Sequence, residues 1–264
     1  MALYIEEHGH GPPLVLLHGW GLHGGVWHNM IPLLAADFHL IIPDLPGHGH
    51  SQRVAEDYAP TDYTLETLAD MVADGVRSRI PNGAIWLGWS LGALVTLMAL
   101  QRHPNLVMRA VLVSATPKFM QAADWPYGMD PVVLAQFSTS LAYNYRSTLL
   151  RFLSLQVGLG ADLRQTAKAL REIMLARAQP QTVAIQAGLT ILRASDLRSM
   201  LAQITLPVRL LHGGRDKLVP VAAAQIMAEE INHSRLQILS TAGHAPFISH
   251  PEEFMRGLKS FLYD

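Results

Sequence analysis

Ser90 stands in Gly88-Trp89-Ser90-Leu91-Gly92, a Gly-x-Ser-x-Gly pentapeptide with an apolar run before it and a helical pattern after it. A strand, tight turn and helix in that order lift a serine hydroxyl clear of the chain. Small residues two positions before and after it let strand and helix approach closely. Serine is a weak nucleophile near neutral pH and needs a positioned base, for which a neutral histidine is the usual choice. His244, in Thr241-Ala242-Gly243-His244-Ala245-Pro246-Phe247, follows the last strand pattern and completes the chain order Ser, Asp, His. His212 and His233 fit less well, the first in or at the end of a strand pattern and the second in a helix-to-strand turn. Asp216 closes His212-Gly213-Gly214-Arg215-Asp216 after another strand, where a carboxylate can hold the histidine tautomer and stabilise the imidazolium. Asp44 competes for that role, but it precedes the serine in Pro43-Asp44-Leu45-Pro46-Gly47-His48-Gly49, where turn formation is more natural. Two backbone amides can serve a tetrahedral oxyanion: that of Leu91, after the nucleophile, and that of Trp20 in His18-Gly19-Trp20-Gly21. The indole of Trp20 can also form an apolar wall. Together these groups are equipped for acyl transfer.

Such residues work only if strand ends deliver them to one place. Apolar runs at 14–17, 39–43 and 84–88 read as buried strands, with further strands at 110–114, 208–212 and 236–239. Helical patterns near 65–79, from Leu91 through about Gln101, and near 221–231 and 251–262 alternate with them. The alternation predicts an α/β fold, a mostly parallel doubly wound sheet whose ligand crevice lies at the carboxyl ends of the strands. Between 119 and 195 no convincing strand appears and apolar positions recur at helical spacing, so this stretch is expected to be a helical cap inserted into a core of 1–118 and 196–264. Pro117 and Asp124-Trp125-Pro126 mark its beginning, and Leu206-Pro207 marks the return to the sheet.

Composition narrows the chemistry. The chain has 264 residues, half of them hydrophobic and 16% charged, with a formal net charge of −1 and no cysteine. That length suits one catalytic unit with an insertion. The charge balance gives no basis for a nucleic-acid partner. Without cysteine there are no disulfides, thiolate metal sites or cysteine nucleophiles. His8/His10 and His48/His50 lie in Gly-rich turns and lack the i, i+4 pairing with glutamate of a zinc hydrolase, so no metal is expected. No cofactor is implied either. No stretch approaches 18 consecutive apolar residues and no leader pattern opens the chain, which makes a soluble cytoplasmic protein the expectation, with no membrane partner.

The motifs His18-Gly19-Trp20-Gly21, Asp44-Leu45-Pro46-Gly47, Gly88-Trp89-Ser90-Leu91-Gly92, Gly213-x-x-Asp216 and His244-Ala245-Pro246-Phe247 resemble the α/β-hydrolase superfamily over nearly the whole chain. More closely, four segments look like the pimeloyl-acyl-carrier-protein methyl ester esterases of biotin synthesis. They are Ile85-Trp86-Leu87 with the serine motif, Asp124-Trp125-Pro126, Arg151-Phe152-Leu153-x-Leu155-Gln156, and His244 through Pro251. Ala93 departs from a glycine common after the motif, without consequence for the nucleophile. The resemblance implies hydrolysis of the methyl ester that disguises the distal carboxylate of a pimeloyl chain. It implies substrate contacts from Trp20, Ser90, Leu91, Phe152, Leu153, Ser154, Leu155, Gln156 and His244.

An acyl carrier protein is acidic, so its partner should be basic near the acyl entrance. Residues 120–195 hold seven Lys or Arg (146, 151, 164, 168, 171, 177, 193) against four Asp or Glu (124, 130, 162, 172). Arg164, Lys168 and Arg171 recur at i, i+4 and i+7 and share a helix face. They read either as a solvated helix face or, with Arg151, as a carrier-docking surface toward which the resemblance tips the balance. Two other functions fit the same scaffold. A broad short-chain carboxylesterase would use the same triad, with specificity in the cap. A small-molecule receptor would keep the fold with little turnover, and the complete set of Ser90, His244 and oxyanion amides argues against it. Haloalkane dehalogenases and epoxide hydrolases of this fold normally use an aspartate nucleophile, which Ser90 argues against.

Overall fold

A computed structural model describes residues 3–51, 63–144, 147–149 and 163–264. Its strands are β1 (Ile5–His8), β2 (Pro13–Leu17), β3 (His39–Pro43), β4 (Ala84–Trp89), β5 (Val107–Val113), β6 (Val208–Gly213) and β7 (Ser234–Leu239). They form one sheet in the order β1-β3-β2-β4-β5-β6-β7. β2 runs parallel to β3 and β4, and β4 parallel to β5. β1 joins the edge antiparallel to β3, Ile5 opposite Pro43. The helices are α1 (Ile31–Leu34), α2 (Leu65–Val76), α3 (Leu91–Arg102), α4 (Pro131–Tyr143), α5 (Leu163–Ala176), α6 (Thr182–Ala194), α7 (Val221–Glu230), α8 (Pro246–Ser249) and α9 (Pro251–Leu262).

The chain clusters into two compact units. The first comprises Met1–Val113, Ile173–Ile191 and Leu206–Val208. Its centre is β2 and β4, apolar along their whole length because helices or loops cover both faces of a parallel sheet. Leu14, Val15, Leu16 and Leu17 are fully buried, each burial stabilising by about 1.5–3 kcal/mol. Thr64 caps α2 by accepting from the Thr67 amide, and Leu65, Leu68, Val72 and Val76 turn one face inward at helical spacing. α3 is buried from Leu91 through Ala99.

The second unit comprises Ser114–Glu172, Leu192–Thr205 and Arg209–Asp264. α9 starts with Pro251, carries Glu252 and Glu253 in its first turn and Lys259 in its last, and buries Phe254, Leu258 and Phe261. Asp130 caps α4 through the Val132 amide, and Pro131 takes the first helical position. The turn at 122–125 is held to 196–198 by Arg198, which binds Asp196 at 2.7 Å and Asp124 at 2.8 Å and lies over the Trp125 ring. Between 119 and 195 the described residues form α4, α5 and α6, with β-structure confined to isolated bridges such as Met120 to Met129. No helix among the described residues is long and apolar enough to cross a membrane.

Candidate active site

Ser90 is the single residue between the fully buried β4 and α3. Its backbone lies at φ 56° and ψ −116°, a conformation that costs a non-glycine residue about 1–3 kcal/mol. The surroundings enforce it. The Ser90 amide donates to Val113 O at 3.0 Å, and Ser90 O accepts from Ala93 N at 2.9 Å. A Cβ on Gly88 would lie 2.2 Å from Gly92 O, and one on Gly92 would lie 2.6 Å from Leu17 O and 2.7 Å from His18 O. Both glycines are therefore required by close backbone approach, as the pentapeptide predicts. Leu91 opens α3, and the first amides of a helix have no acceptor within it and sit at its positive end.

The loop after β2 lies beside this turn. A Cβ on Gly19 would be 3.3 Å from the Ser90 Cβ and 3.0 Å from the Trp89 ring. His18 anchors the loop: its Nδ1–H donates to Gly19 O at 2.8 Å, and its Nε2 accepts from the Leu45 amide at 2.9 Å. Acceptance at Nε2 needs the neutral ring, and burial pushes the His18 pKa down to about 3. Trp20 is 2% exposed, and its indole Nε1–H donates to Ile185 O of α6 at 3.0 Å.

In the second unit, the side chains of Asp216 and His244 are buried and paired, His244 Nδ1 lying 2.7 Å from Asp216 Oδ2. The other carboxylate oxygen accepts from the Leu218 and Val219 amides at 2.8 and 2.9 Å. Burial alone would raise the Asp216 pKa, but the facing His244, His212 and the Val219 amide outweigh it and hold it below the ordinary carboxylate range. An ionised Asp216 can only accept, so Nδ1 of His244 carries the proton and Nε2 of the neutral ring is the basic atom. His212 turns inward, donating from Nε2 to Val219 O at 3.0 Å, and His233 is exposed.

Comparison with known proteins identifies the family and the fold. The family model for the alpha/beta hydrolase fold matches residues 12–251. A protein of Nitrosomonas europaea named pimeloyl-[acyl-carrier protein] methyl ester esterase is 42% identical over 255 residues, covering 96% of this chain and 97% of that protein. One of the same name from Photobacterium profundum is 40% identical over 261 residues, covering 99% of this chain and 98% of that protein. The chain belongs to this α/β-hydrolase family. Among solved structures, an esterase from Exiguobacterium antarcticum superposes with a TM-score of 0.88 at 26% identity, covering 99% of this chain and 96% of its own. A Bacillus anthracis bromoperoxidase, with a TM-score of 0.88 at 22% identity over 99% of this chain and 95% of its own, shares the fold alone.

Within this α/β-hydrolase, Asp44 is a structural anion. Its oxygens accept from the Gly24 and His50 amides at 2.7 and 2.8 Å, and both meet Arg177 Nη1 at 2.7 Å. Arg177 also binds Glu6 at 2.7 Å and is only 8% exposed. Its charge is spent inside the protein, which removes one cation from the surplus counted over 120–195. Arg164, Lys168 and Arg171 are exposed on α5, Lys168 lying 3.7 Å from Glu172. Arg151, Phe152, Leu153, Ser154, Leu155 and Gln156 lie outside the described residues. The sequence reading missed the Arg177 clasp and the seat of Trp20 on α6. A glycine at position 188, inside a helix, was the available signal for the second.

Proposed function

We propose that this chain is a serine carboxylesterase that hydrolyses the methyl ester of pimeloyl-acyl carrier protein to pimeloyl-acyl carrier protein and methanol. The observation that carries the chemistry is Ser90, held at φ 56° by glycines whose Cβ positions are occupied by backbone. The substrate rests on the names of relatives about 40% identical over nearly the full chain.

In the proposed mechanism Ser90, His244 and Asp216 act together. Ser90 Oγ attacks the ester carbonyl carbon as His244 Nε2 takes its proton. The backbone amides of Trp20 and Leu91 stabilise the tetrahedral oxyanion, a contribution of about 2.7–4 kcal/mol per donor in comparable enzymes. Collapse expels the methoxy group, which leaves as methanol with the proton from His244. Water, deprotonated by His244, then attacks the acyl-enzyme, and the carbonyl–Oγ bond breaks to release the free distal carboxylate and restore Ser90. Asp216 stays ionised and stabilises the imidazolium in both steps.

The acyl chain is proposed to contact Trp20 and the segment from Phe152 to Gln156 in a helical cap spanning 119–195. An acidic carrier is proposed to dock on Arg151, Arg164, Lys168 and Arg171, where charge complementarity favours encounter. A cytoplasmic location belongs to the same proposal. The test is steady-state hydrolysis of the carrier-bound methyl ester beside a free methyl ester of the same chain, for wild type and an Arg164→Gln/Lys168→Gln/Arg171→Gln variant. Faster carrier-bound turnover that falls in the variant supports the proposal. Equal rates on both substrates would reduce it to a general carboxylesterase.

A further inference from the structure

Trp20 and Leu91, whose amides are proposed to hold the oxyanion, have side chains that converge on one backbone position of α6. A Cβ on Gly188 would stand 2.5 Å from Trp20 Cδ1, 2.8 Å from Trp20 Nε1 and 3.8 Å from Leu91 Cδ2. One turn earlier, Ile185 O accepts the Trp20 indole N–H at 3.0 Å. The pyrrole edge of the indole therefore rests on α6, bonded to the Ile185 carbonyl and admitted by the side chain missing at 188. Gly188 has no positive φ, so its use here is space and not backbone freedom. Glycine inside a helix is less favourable than alanine, which leaves the seat of Trp20 as its physical reason. Trp20 is 2% exposed and Ile185 is 1% exposed, so neither can shift without disturbing packed neighbours.

We infer that Gly188 and the Ile185 carbonyl are positioning elements for the reaction: by seating the Trp20 indole on α6 they set where the Trp20 main-chain amide points. The inference rests on the oxyanion role proposed above. The indole is the only side chain on the His18-Gly19-Trp20-Gly21 loop between two glycines, and Gly19 lies against Ser90, so moving the ring moves the amide next to the nucleophile. An oxyanion interaction is made only in the transition state. Its loss lowers kcat with little change in KM, whereas loss of ordinary substrate contact raises KM.

The experiment compares wild type, Gly188→Ala, Trp20→Phe and the double variant on p-nitrophenyl butyrate, with Ser90→Ala as the control for Ser90-dependent turnover. Gly188→Ala is expected to lower kcat about 10–100-fold, less than the outright loss of a donor, with KM within about threefold. Binding of a trifluoromethyl ketone, which forms the tetrahedral adduct, should weaken in proportion, and binding of the product carboxylate should not. Phenylalanine lacks the pyrrole edge, so the double variant should recover part of what Gly188→Ala loses. Should Gly188→Ala not fold, judged by its thermal melt, Trp20→Phe alone must lower kcat and weaken the trifluoromethyl ketone more than the product carboxylate. Ser90-dependent turnover with Gly188→Ala at wild-type kcat, or with only KM altered, overturns the inference and leaves the functional proposal standing. Absence of Ser90-dependent turnover in wild type overturns both.

Discussion

Replacing Arg177 with methionine keeps the length of the side chain and removes the cation between two carboxylates. Asp44 is fully buried, Arg177 is 8% exposed, and both Asp44 oxygens lie 2.7 Å from the guanidinium. Removing one partner of a buried ion pair costs about 3–5 kcal/mol because the other charge stays behind. Asp44 keeps the Gly24 and His50 amides, and Glu6 keeps His8 at 2.8 Å, which favours the lower end, about 3 kcal/mol. At roughly 2–4 °C per kcal/mol for a chain of this size, Tm should fall by about 6–12 °C in a thermal melt at about pH 7. The pH dependence adds a second test. In the wild type, burial pushes the Asp44 pKa up, but His18, the two amides and Arg177 together hold it below 3.8, so its contribution is present above that value and lost as pH falls through the folded pKa. Without Arg177 the folded pKa rises, the buried charge becomes a cost above it, and protonation relieves that cost. The deficit of Arg177→Met should therefore shrink toward about pH 4.5. Adding Asp44→Asn should restore part of the lost Tm. A fall under about 2 °C, or the same deficit at both pH values, would refute the assignment of Asp44 and Arg177 as a buried pair.

Asp216→Asn should leave the fold intact and lower kcat by about 10⁴, since an amide that donates to Nδ1 places the proton on Nε2; steady-state ester hydrolysis checks it. Gly88→Ala should destabilise by about 1–3 kcal/mol or more, because its Cβ position is 2.2 Å from a backbone oxygen, and denaturant unfolding reads the loss directly. His18 is held neutral to about pH 3 and His23 to about pH 4, mainly by burial, while both take protons near 6.5 when unfolded. Stability should thus fall on acidification below about pH 6.5, by up to about 1.4 kcal/mol per pH unit for each group, and His18→Asn should flatten the slope.

The elements that carry the proposed reacting groups were legible because their signals are local. The glycines flanking Ser90 report a backbone approach that any side chain would block, and the burial of β2, β3 and β4 shows as largely apolar runs. β1 was not anticipated: Ile5-Glu6-Glu7-His8 is short and mostly polar, and it becomes a strand through pairing with β3 at the sheet edge. Partners distant in sequence were hidden for a similar reason. Nothing local says that Arg177 reaches Asp44, 133 residues away, and a count of basic residues places it on the surface. Gly188 gave a local sign, a helix-interior glycine, but its partner Trp20 lies 168 positions earlier and only the fold joins them.

The most direct test of the central claim is methanol release from pimeloyl-acyl-carrier-protein methyl ester by wild type and Ser90→Ala. Sustained release by wild type, with none above background from a Ser90→Ala protein of unchanged Tm, is the expected result. Release that survives the substitution would contradict Ser90 as the nucleophile, and no release by wild type would contradict the proposed activity.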